Sequence, residues 1–199
     1  AEFIKRQSTR ALLRFSSSQG LEAYLKESGR MPLPPYIQRP MDTNVQTLEL
    51  DKKRYQTVFA SNEGAIAAPT AGLHFTQSQL ANLRKKTVNT ANLTLHVGPG
   101  TFVPIRAENF IDHKMEEEYF ELSPVNWNKI TLAKKKGQSI LAVGTTSTRV
   151  LETQTFDTSI QERVSGRCNC FIYPGWEFKN VDHLLTNFHL PKSTLFLLI

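Results

Sequence analysis

The amino-acid sequence predicts an α/β fold in which short apolar strands alternate with helices. Helix signals recur along the chain, with a capping residue before the helix and a basic run or a glycine at its end. Short β-rich or apolar runs lie between these helices, and this alternation is typical of α/β proteins with a mainly parallel sheet. The length of 199 residues supports a hydrophobic core without disulfides or metals.

The first 30 residues are predicted to form a unit distinct from the rest. Residues 1–19 are polar and contain a serine-rich stretch, which indicates an edge strand followed by a loop. Residues 21–28 carry apolar side chains at helical spacing, and Gly29 is the expected end of that helix. The closely spaced prolines of residues 31–37 then fix an extended, polyproline-like linker. We therefore divide the chain into residues 1–30 and residues 31–199.

Strands and helices alternate after the linker. Thr76 and Ser123 are expected N-caps, because their hydroxyls can accept from the free N–H groups of a first helical turn. Pro124 and Gly137 fit the beginning and the end of the helix that follows Ser123. Residues 140–143 form a continuous apolar run, which favours a strand buried on both faces. The predicted helices span 77–86, 125–136 and 147–154, and the predicted strands span 65–68, 93–97, 140–143, 169–173 and 184–188.

The two ends of the sequence indicate a fragment. The chain begins with Ala1 and ends inside the apolar run 195–199, whose length is that of a strand. Termini are usually exposed, so an apolar end is unusual. We therefore expect flanking segments to complete the fold.

Composition excludes some functional classes and favours others. Mean hydropathy is −0.33, and no apolar run approaches the roughly 18 residues that a membrane-spanning helix needs. Lys and Arg number 24 against 18 Asp and Glu, which gives a net charge of +6. A basic balance favours acidic partners, above all nucleic acid, although it also serves solubility alone. Neither reading is chosen on charge alone.

Cysteine and histidine usage argues against a disulfide scaffold or a metal centre. Cys168 and Cys170 are separated by one residue, so in an extended segment their side chains run parallel rather than toward each other. They lack the partners of a zinc site, and no His-x-x-x-His pair occurs. We predict free thiols, a reducing compartment and therefore a cytoplasmic protein without a metal.

Four segments combine small, polar and histidine residues where predicted strands end. Ligands of α/β proteins bind beyond the carboxyl ends of strands, so these segments are candidates for a site. A fifth segment has aromatic residues around a Pro-Gly turn, which either stack on a purine or fill the core. We name them the first (67–75), second (94–102), third (142–149), fourth (185–194) and fifth (171–176) segment.

The first two segments each carry one histidine beside glycine. Near Thr70, Gly72 permits a tight bend whose N–H groups are suited to an anion, and His74 is a candidate acid or base. In the second segment His96 precedes a Gly-Pro-Gly turn over residues 98–100, and Thr101 is a candidate contact for a ligand hydroxyl. The alternatives are a histidine that caps a helix and a buried histidine bonded to backbone.

The third and fourth segments are richer in hydroxyl and amide groups. Thr145, Thr146 and Ser147 follow Gly144 at the start of a helix, a place that suits phosphate or carboxylate. The alternative is plain N-capping, for which one hydroxyl suffices. In the fourth segment Asn187 and His189 lie on one face of an extended stretch and suit a base edge or a ribose; the alternative is a strand end and a turn.

The order and spacing of these motifs resemble one enzyme family, the S-adenosylmethionine:tRNA ribosyltransferase-isomerases of queuosine biosynthesis. The resemblance extends from about Gly20 to the end of the chain. The matching runs are MPLPPYI at 31–37, YQTV at 55–58, AAPTAGLHF at 67–75, TLHVG at 94–98, GTF at 100–102, AVGTTS at 142–147, FIYPG at 171–175 and TNFHLPKSTL at 186–195.

The resemblance implies a fold and a reaction. The family fold is an α/β barrel-like domain that carries an inserted β-barrel domain. Residues 1–30 would then be the end of the insert with its linker, and residues 31–199 an incomplete catalytic domain. Such enzymes transfer the ribosyl part of S-adenosylmethionine to 7-aminomethyl-7-deazaguanine at the tRNA wobble position and isomerise it. The product is epoxyqueuosine-tRNA, and adenine and methionine leave. A monomer without metal or membrane contact is expected.

The reaction suggests roles for the candidate residues. Its sulfonium makes a neighbouring C–H acidic, so a base is needed, and His74, His96 and His189 are the candidates. The S-adenosylmethionine-binding candidates are Thr70, Gly72, Gly98, Thr101, Thr145, Thr146, Ser147 and Asn187. The cations expected to contact the tRNA backbone are Arg106, Arg149 and Lys192.

The sequence also departs from the family pattern. The run His-x-Met-His-x-Glu reads here as His113-Lys114-Met115-Glu116-Glu117-Glu118, so Glu116 replaces a histidine. Cys168 stands where threonine is usual, and Trp176 where Tyr or Phe is usual. A second hypothesis is therefore a fragment that binds tRNA or a nucleoside without catalysis. Adenine release would discriminate the two hypotheses.

Overall fold

A two-stranded hairpin begins the chain in the computed structural model, which describes residues 1–7, 10–34, 36–98, 109–189, 191 and 193–199. Strands β1 (Glu2–Gln7) and β2 (Arg10–Arg14) pair antiparallel. The single edge strand predicted for residues 1–19 is therefore a hairpin. Helix α1 (Leu21–Ser28) follows with the predicted bounds, and the Gly29 N–H donates to Leu25 O. Every residue of α1 is exposed.

Helix α2 (Val45–Arg54) follows the proline-rich linker and was not predicted. Asn44 caps it by accepting from Thr47 N at 2.8 Å. Its sequence is mostly polar and Asp51 is its buried residue, so apolar periodicity gives little signal. Two hydrogen bonds of 2.8 Å from Arg39 hold the Asp51 carboxylate and lower its pKa.

Two predicted helices are confirmed to within one residue. Helix α3 (Gln77–Lys85) begins at Thr76, which forms a capping box with Gln79. Helix α4 (Pro124–Lys135) begins at Ser123, whose hydroxyl accepts from Asn126 N. Gly137 follows α4 with a φ of +63°, a conformation that favours glycine. The starts of α3 and α4 were predictable because each is fixed by a hydrogen bond between residues three positions apart.

A three-stranded antiparallel sheet contains β3 (Thr94–His96), β4 (Glu118–Leu122) and β6 (Val164–Cys168), with β4 in the centre. The expectation of mainly parallel pairing is therefore wrong for this sheet. The strand predicted at 169–173 is also wrong, because the strand precedes that segment and contains Gly166. A Cβ on Gly166 would lie 3.2 Å from Phe120 Cε1, so glycine makes room for the ring.

A second, parallel pair supports the third and fourth segments. Strands β5 (Leu141–Val143) and β7 (His183–Leu185) pair in parallel, with Val143 opposite Leu185. Helix α5 (Thr145–Glu152) begins directly after β5, two residues before the predicted start. Ala142 is buried but Leu141 is 55% exposed, so the prediction of a strand buried on both faces is wrong. The strand predicted at 65–68 is also wrong: these residues form a bend, where Ile66 N donates to Val97 O.

Two apolar clusters pack α4, α5 and the last helix against these sheets. In the first cluster, Trp127 of α4 lies against Phe156 with ring centroids 4.5 Å apart. The second cluster contains Phe120, Val150, Cys168, Cys170, Ile172 and Leu198. Both cysteines are free, as predicted, and the structure buries them. The apolar end of the sequence forms helix α6 (Thr194–Leu198) rather than a strand. The predicted α/β class is confirmed.

In the described ranges no helix is both long enough and apolar enough to span a bilayer. Groups of three or more His, Cys, Asp or Glu side chains that could hold a metal ion are also absent from those ranges.

Candidate functional site

The parallel pairing of β5 and β7 brings the third and fourth segments side by side. Both strands end at the same edge, since Val143 is opposite Leu185. The next residue, Gly144, donates its N–H to Leu185 O at 2.9 Å. The start of α5 therefore lies beside residues 186–189, as expected for ligand-binding loops at the carboxyl ends of parallel strands.

The first turn of α5 presents backbone donors. Gly144 is the N-cap with a φ of +95°, and its carbonyl accepts from Thr148 N. The three N–H groups before Thr148 have no acceptor within the helix, and the helix dipole makes this end positive. Among the described residues, neither Thr145 nor Thr146 serves as the cap, which removes the plain N-capping alternative. Thr145 and Thr146 are buried, and Ser147 is half-buried.

The first segment packs next to the start of α5. It forms a 3₁₀ turn over Thr70–His74. A Cβ on Gly144 would lie 3.9 Å from the Cβ of Ala71, so the turn packs next to the start of α5. His74 Nδ1 is 2.9 Å from Ala71 O. A carbonyl only accepts, so Nδ1 carries the proton and Nε2 is the acceptor of the neutral ring.

Gly72 has a packing role in this turn. A Cβ there would lie 2.7 Å from Phe59 Cζ and 2.8 Å from Thr57 Cγ2, which only glycine avoids. Its N–H donates to Pro69 O at 2.8 Å. The anion-holding N–H groups predicted for this turn must therefore come from other residues. Thr70 is half-buried at the start of the turn.

The fourth segment contributes a histidine in a partly buried setting. His189 Nε2 is 3.0 Å from Thr186 Oγ1. Burial lowers the pKa of His189 below its ordinary value, which favours the neutral imidazole near pH 7. Asn187 and His189 are half-buried whereas Phe188 is fully exposed, so the predicted alternation of faces is observed. A neutral imidazole is the form that accepts a proton.

Within the described residues, the second segment contributes Thr94–His96 to the antiparallel sheet as β3. His96 stacks on Tyr119 of β4 with ring centroids 5.5 Å apart. On Gly64, which has a φ of +138°, a Cβ would lie 2.2 Å from His96 Nδ1. The imidazole therefore lies between an aromatic ring and a bare stretch of backbone. Gly98 donates its N–H to Glu118 Oε1 at 3.4 Å.

The burial of Arg149 contradicts the prediction that it contacts the tRNA backbone. Its side chain is buried, with the residue 2% exposed. Nη1 donates to Glu118 Oε2 at 3.0 Å and Nε donates to Cys170 O at 2.7 Å. Nη2 is buried without a hydrogen-bond partner in the described part of the chain. A guanidinium enclosed in this way is not available to a tRNA phosphate. Thr101, Arg106 and Lys192 lie outside the described residues.

The fifth segment packs against protein rather than presenting two free rings. The ring centroids of Phe171 and Tyr173 are 5.5 Å apart. Phe110 packs edge-on with Tyr173, and His113 packs edge-on with Phe171. Trp176 Nε1 points to Glu152 Oε2 at 3.5 Å. These contacts favour the core-filling alternative for the aromatic residues.

Sequence reasoning did not identify two buried carboxylates, Glu118 and Glu152. Glu118 shares one face of β4 with Phe120 and Leu122, and this alternation was the available signal. Glu152 at the end of α5 accepts the backbone N–H groups of Lys179, Asn180 and Val181. The partners of Glu152 are more than 20 residues away along the chain, so local pattern gives no signal for them.

A family model described as "Queuosine biosynthesis protein" matches residues 1–199. The S-adenosylmethionine:tRNA ribosyltransferase-isomerase of Halothermothrix orenii is 47% identical over 188 residues, which cover 94% of this chain and 53% of that protein. The protein of the same name from Staphylococcus haemolyticus is 50% identical over 179 residues, which cover 90% and 50%.

A solved structure also matches. The crystal structure of S-adenosylmethionine tRNA ribosyltransferase from Thermotoga maritima is 41% identical, with a TM-score of 0.49, and the match covers 64% of this chain and 39% of that one. The chain spans about half the length of the curated relatives it matches.

Proposed function

The chain belongs to the queuosine biosynthesis protein family, and on that premise we propose that it acts as part of an S-adenosylmethionine:tRNA ribosyltransferase-isomerase. The reaction transfers the ribosyl moiety of S-adenosylmethionine to 7-aminomethyl-7-deazaguanine at the tRNA wobble position and isomerises it. Epoxyqueuosine-tRNA forms, and adenine and methionine are released. The protein would act in the cytoplasm as a monomer.

One observation carries the proposal: the first, third and fourth segments meet at the start of α5. Gly144 contacts Leu185 through a hydrogen bond and lies next to Ala71. The free N–H groups of Thr145, Thr146 and Ser147, with their hydroxyls, suit the carboxylate of the methionine part of S-adenosylmethionine. Thr70 precedes Ala71 and Asn187 lies two residues after Leu185, and both are proposed to contact the rest of the nucleoside.

Two of the three candidate bases lie within four residues, along the chain, of the residues that meet at this helix start. His74 follows Ala71 in its turn, and His189 follows Leu185 beyond β7. The neutral form of His189, favoured by burial, supports it as the base that removes the acidic proton beside the sulfonium. His96 lies in the other sheet, and His74 remains the competing candidate.

The division at residue 30 is proposed as a boundary between the end of an inserted domain and an α/β barrel-like catalytic domain. In support, the hairpin and α1 expose large apolar side chains, whereas both apolar clusters form from residues after 90. The proposed tRNA-contacting cations are Arg106 and Lys192, since Arg149 is enclosed.

The test is adenine release from S-adenosylmethionine with tRNA that carries 7-aminomethyl-7-deazaguanine. Release that requires this tRNA, and is absent with tRNA carrying unmodified guanine, is the expected result. The chain's coverage of only half the length of its relatives supports a competing candidate, a fragment that binds without catalysis. Binding of S-adenosylmethionine and tRNA without adenine release would favour that candidate. If the protein neither binds S-adenosylmethionine and tRNA nor releases adenine, both candidates are refuted.

A further inference from the structure

The buried ion pair between Glu118 and Arg149 joins the third segment to Gly98 of the second segment and to Cys170, which precedes the fifth segment. Arg149 belongs to α5, the helix that starts with the third segment, and its Nε donates to Cys170 O immediately before the fifth segment. Glu118 begins β4, and its Oε1 accepts the N–H of Gly98 in the second segment. We propose that Glu118 and Arg149 are positioning residues, which hold the backbone at Gly98 and at Cys170 at a fixed place relative to α5. This inference rests on the proposed function.

The surroundings of the pair argue for positioning over simple stabilisation. Glu118 is 5% and Arg149 2% exposed, and Phe120 and Val150, one or two residues away, belong to an apolar cluster. Charges in such a place lose their hydration, and apolar residues of similar volume are often as stable. Stability alone therefore does not require an ion pair here.

Charged groups provide directed hydrogen bonds, which apolar side chains lack. The Glu118 carboxylate binds a backbone N–H with one oxygen and the guanidinium with the other. The guanidinium in turn bonds a backbone carbonyl at 2.7 Å. Main-chain atoms near residues 98 and 170 are thereby tied to one helix. Catalysis is sensitive to such placement, since a misplacement of about 1 Å can reduce a rate by about 100-fold.

The decisive variants separate placement from stability. Glu118→Gln keeps the shape and removes the charge, and the double variant Glu118→Leu with Arg149→Met replaces the pair by apolar volume. Arg149→Lys keeps the charge but loses the fork that reaches both partners. Arg163→Gln is the matched control, because Arg163 also pairs with a glutamate of β4, Glu121, but at an exposed position.

The expected result is a loss of kcat for adenine release of about 10- to 100-fold in Glu118→Gln and in the folded double variant. The KM for S-adenosylmethionine should change by less than this factor. Arg149→Lys should lose less of kcat than the double variant, because it keeps a charged partner for Glu118, and Arg163→Gln should match the original protein. A double variant that keeps the original melting temperature and the original kcat would overturn the proposal.

A second measurement does not depend on activity. Amide hydrogen exchange at Gly98 should accelerate in the folded double variant but not in Arg163→Gln, because the acceptor of that N–H is removed. Unchanged protection at Gly98 would overturn the positioning role. If the original protein released no adenine but Gly98 lost protection as expected, the proposed function would fail while the positioning contact would stand.

Discussion

Glu152 Oε1 accepts the backbone N–H of Asn180 at 2.9 Å, which joins the last turn of α5 to the loop that leads into β7. The same carboxylate accepts from the neighbouring N–H groups of Lys179 and Val181, each at 2.8 Å. Asn180 Nδ2 returns a hydrogen bond to Leu151 O at 2.6 Å. The end of α5 and the beginning of β7 are therefore fixed to each other.

This relationship predicts a large effect of Glu152→Gln on stability. The glutamine amide keeps one oxygen that can accept a hydrogen bond. Its NH₂ group replaces the other oxygen of Glu152 and leaves at least one of the three backbone N–H groups without an acceptor. Leaving a buried donor unsatisfied costs about 1–3 kcal/mol. Urea denaturation should show this loss, whereas Glu162→Gln at an exposed position should change stability by less than about 0.5 kcal/mol. Equal stability of the two variants would contradict the role of Glu152.

The backbone beside His96 predicts that Gly64→Ala displaces the imidazole. The new Cβ would lie 2.2 Å from Nδ1, and the φ of +138° is itself strained for alanine. Gly175→Ala is the matched control, since Gly175 has a φ of +98° and open space around it. We expect Gly64→Ala to lower the free energy of unfolding by about 1–3 kcal/mol more than Gly175→Ala does, the usual range for overpacking. NMR shifts of the His96 ring should move in Gly64→Ala and stay in the control.

The lowered pKa of His189 predicts a pH dependence of stability. Its ordinary value is 6.5, and burial lowers it in the folded protein. The unfolded chain therefore binds a proton first as the pH falls, so stability is full above about pH 6.5 and decreases below it. His189→Gln should remove this part of the dependence. An NMR titration that places the His189 pKa above 6.5 would contradict the burial argument and weaken the case for His189 as the base.

Burial predicts that Cys170 is unreactive in the folded protein. It raises the pKa of the thiol from 9.0 to about 11, and the thiolate is the reactive form. Alkylation by iodoacetamide at pH 8 should be slow in buffer and fast in denaturant, as read by mass spectrometry. Between pH 9 and 11 the unfolded chain loses this proton first, so stability should fall as the pH rises. Fast labelling in buffer would show that the segment opens.

Features that depend on neighbouring residues were predictable from the sequence. Thr76 with Gln79, and Ser123 with Asn126, fix the starts of α3 and α4 through contacts three residues apart. The hydroxyl row after Gly144 was likewise recognised at the start of a helix. These signals are local, so one sequence is enough to read them.

Features that depend on distant partners were not predictable. The antiparallel pairing of β4 with β6 joins Phe120 to Gly166, and the glycine looks like a strand breaker until the ring against it is known. Arg149 looked like a phosphate contact because its partner Glu118 lies 31 residues earlier. Burial of a charge is decided by what packs around it, which a single sequence does not state.

The parallel pair of β5 and β7 holds α5 at both of its ends, through Gly144 at the start and Glu152 at the end. The eight residues of α5 span about 12 Å. A displacement of Asn180 would therefore act through this one short helix on the hydroxyl of Thr145 at its start. The loop before β7 contains no proposed substrate-binding residue. We nevertheless expect substitutions in it to weaken the affinity for S-adenosylmethionine.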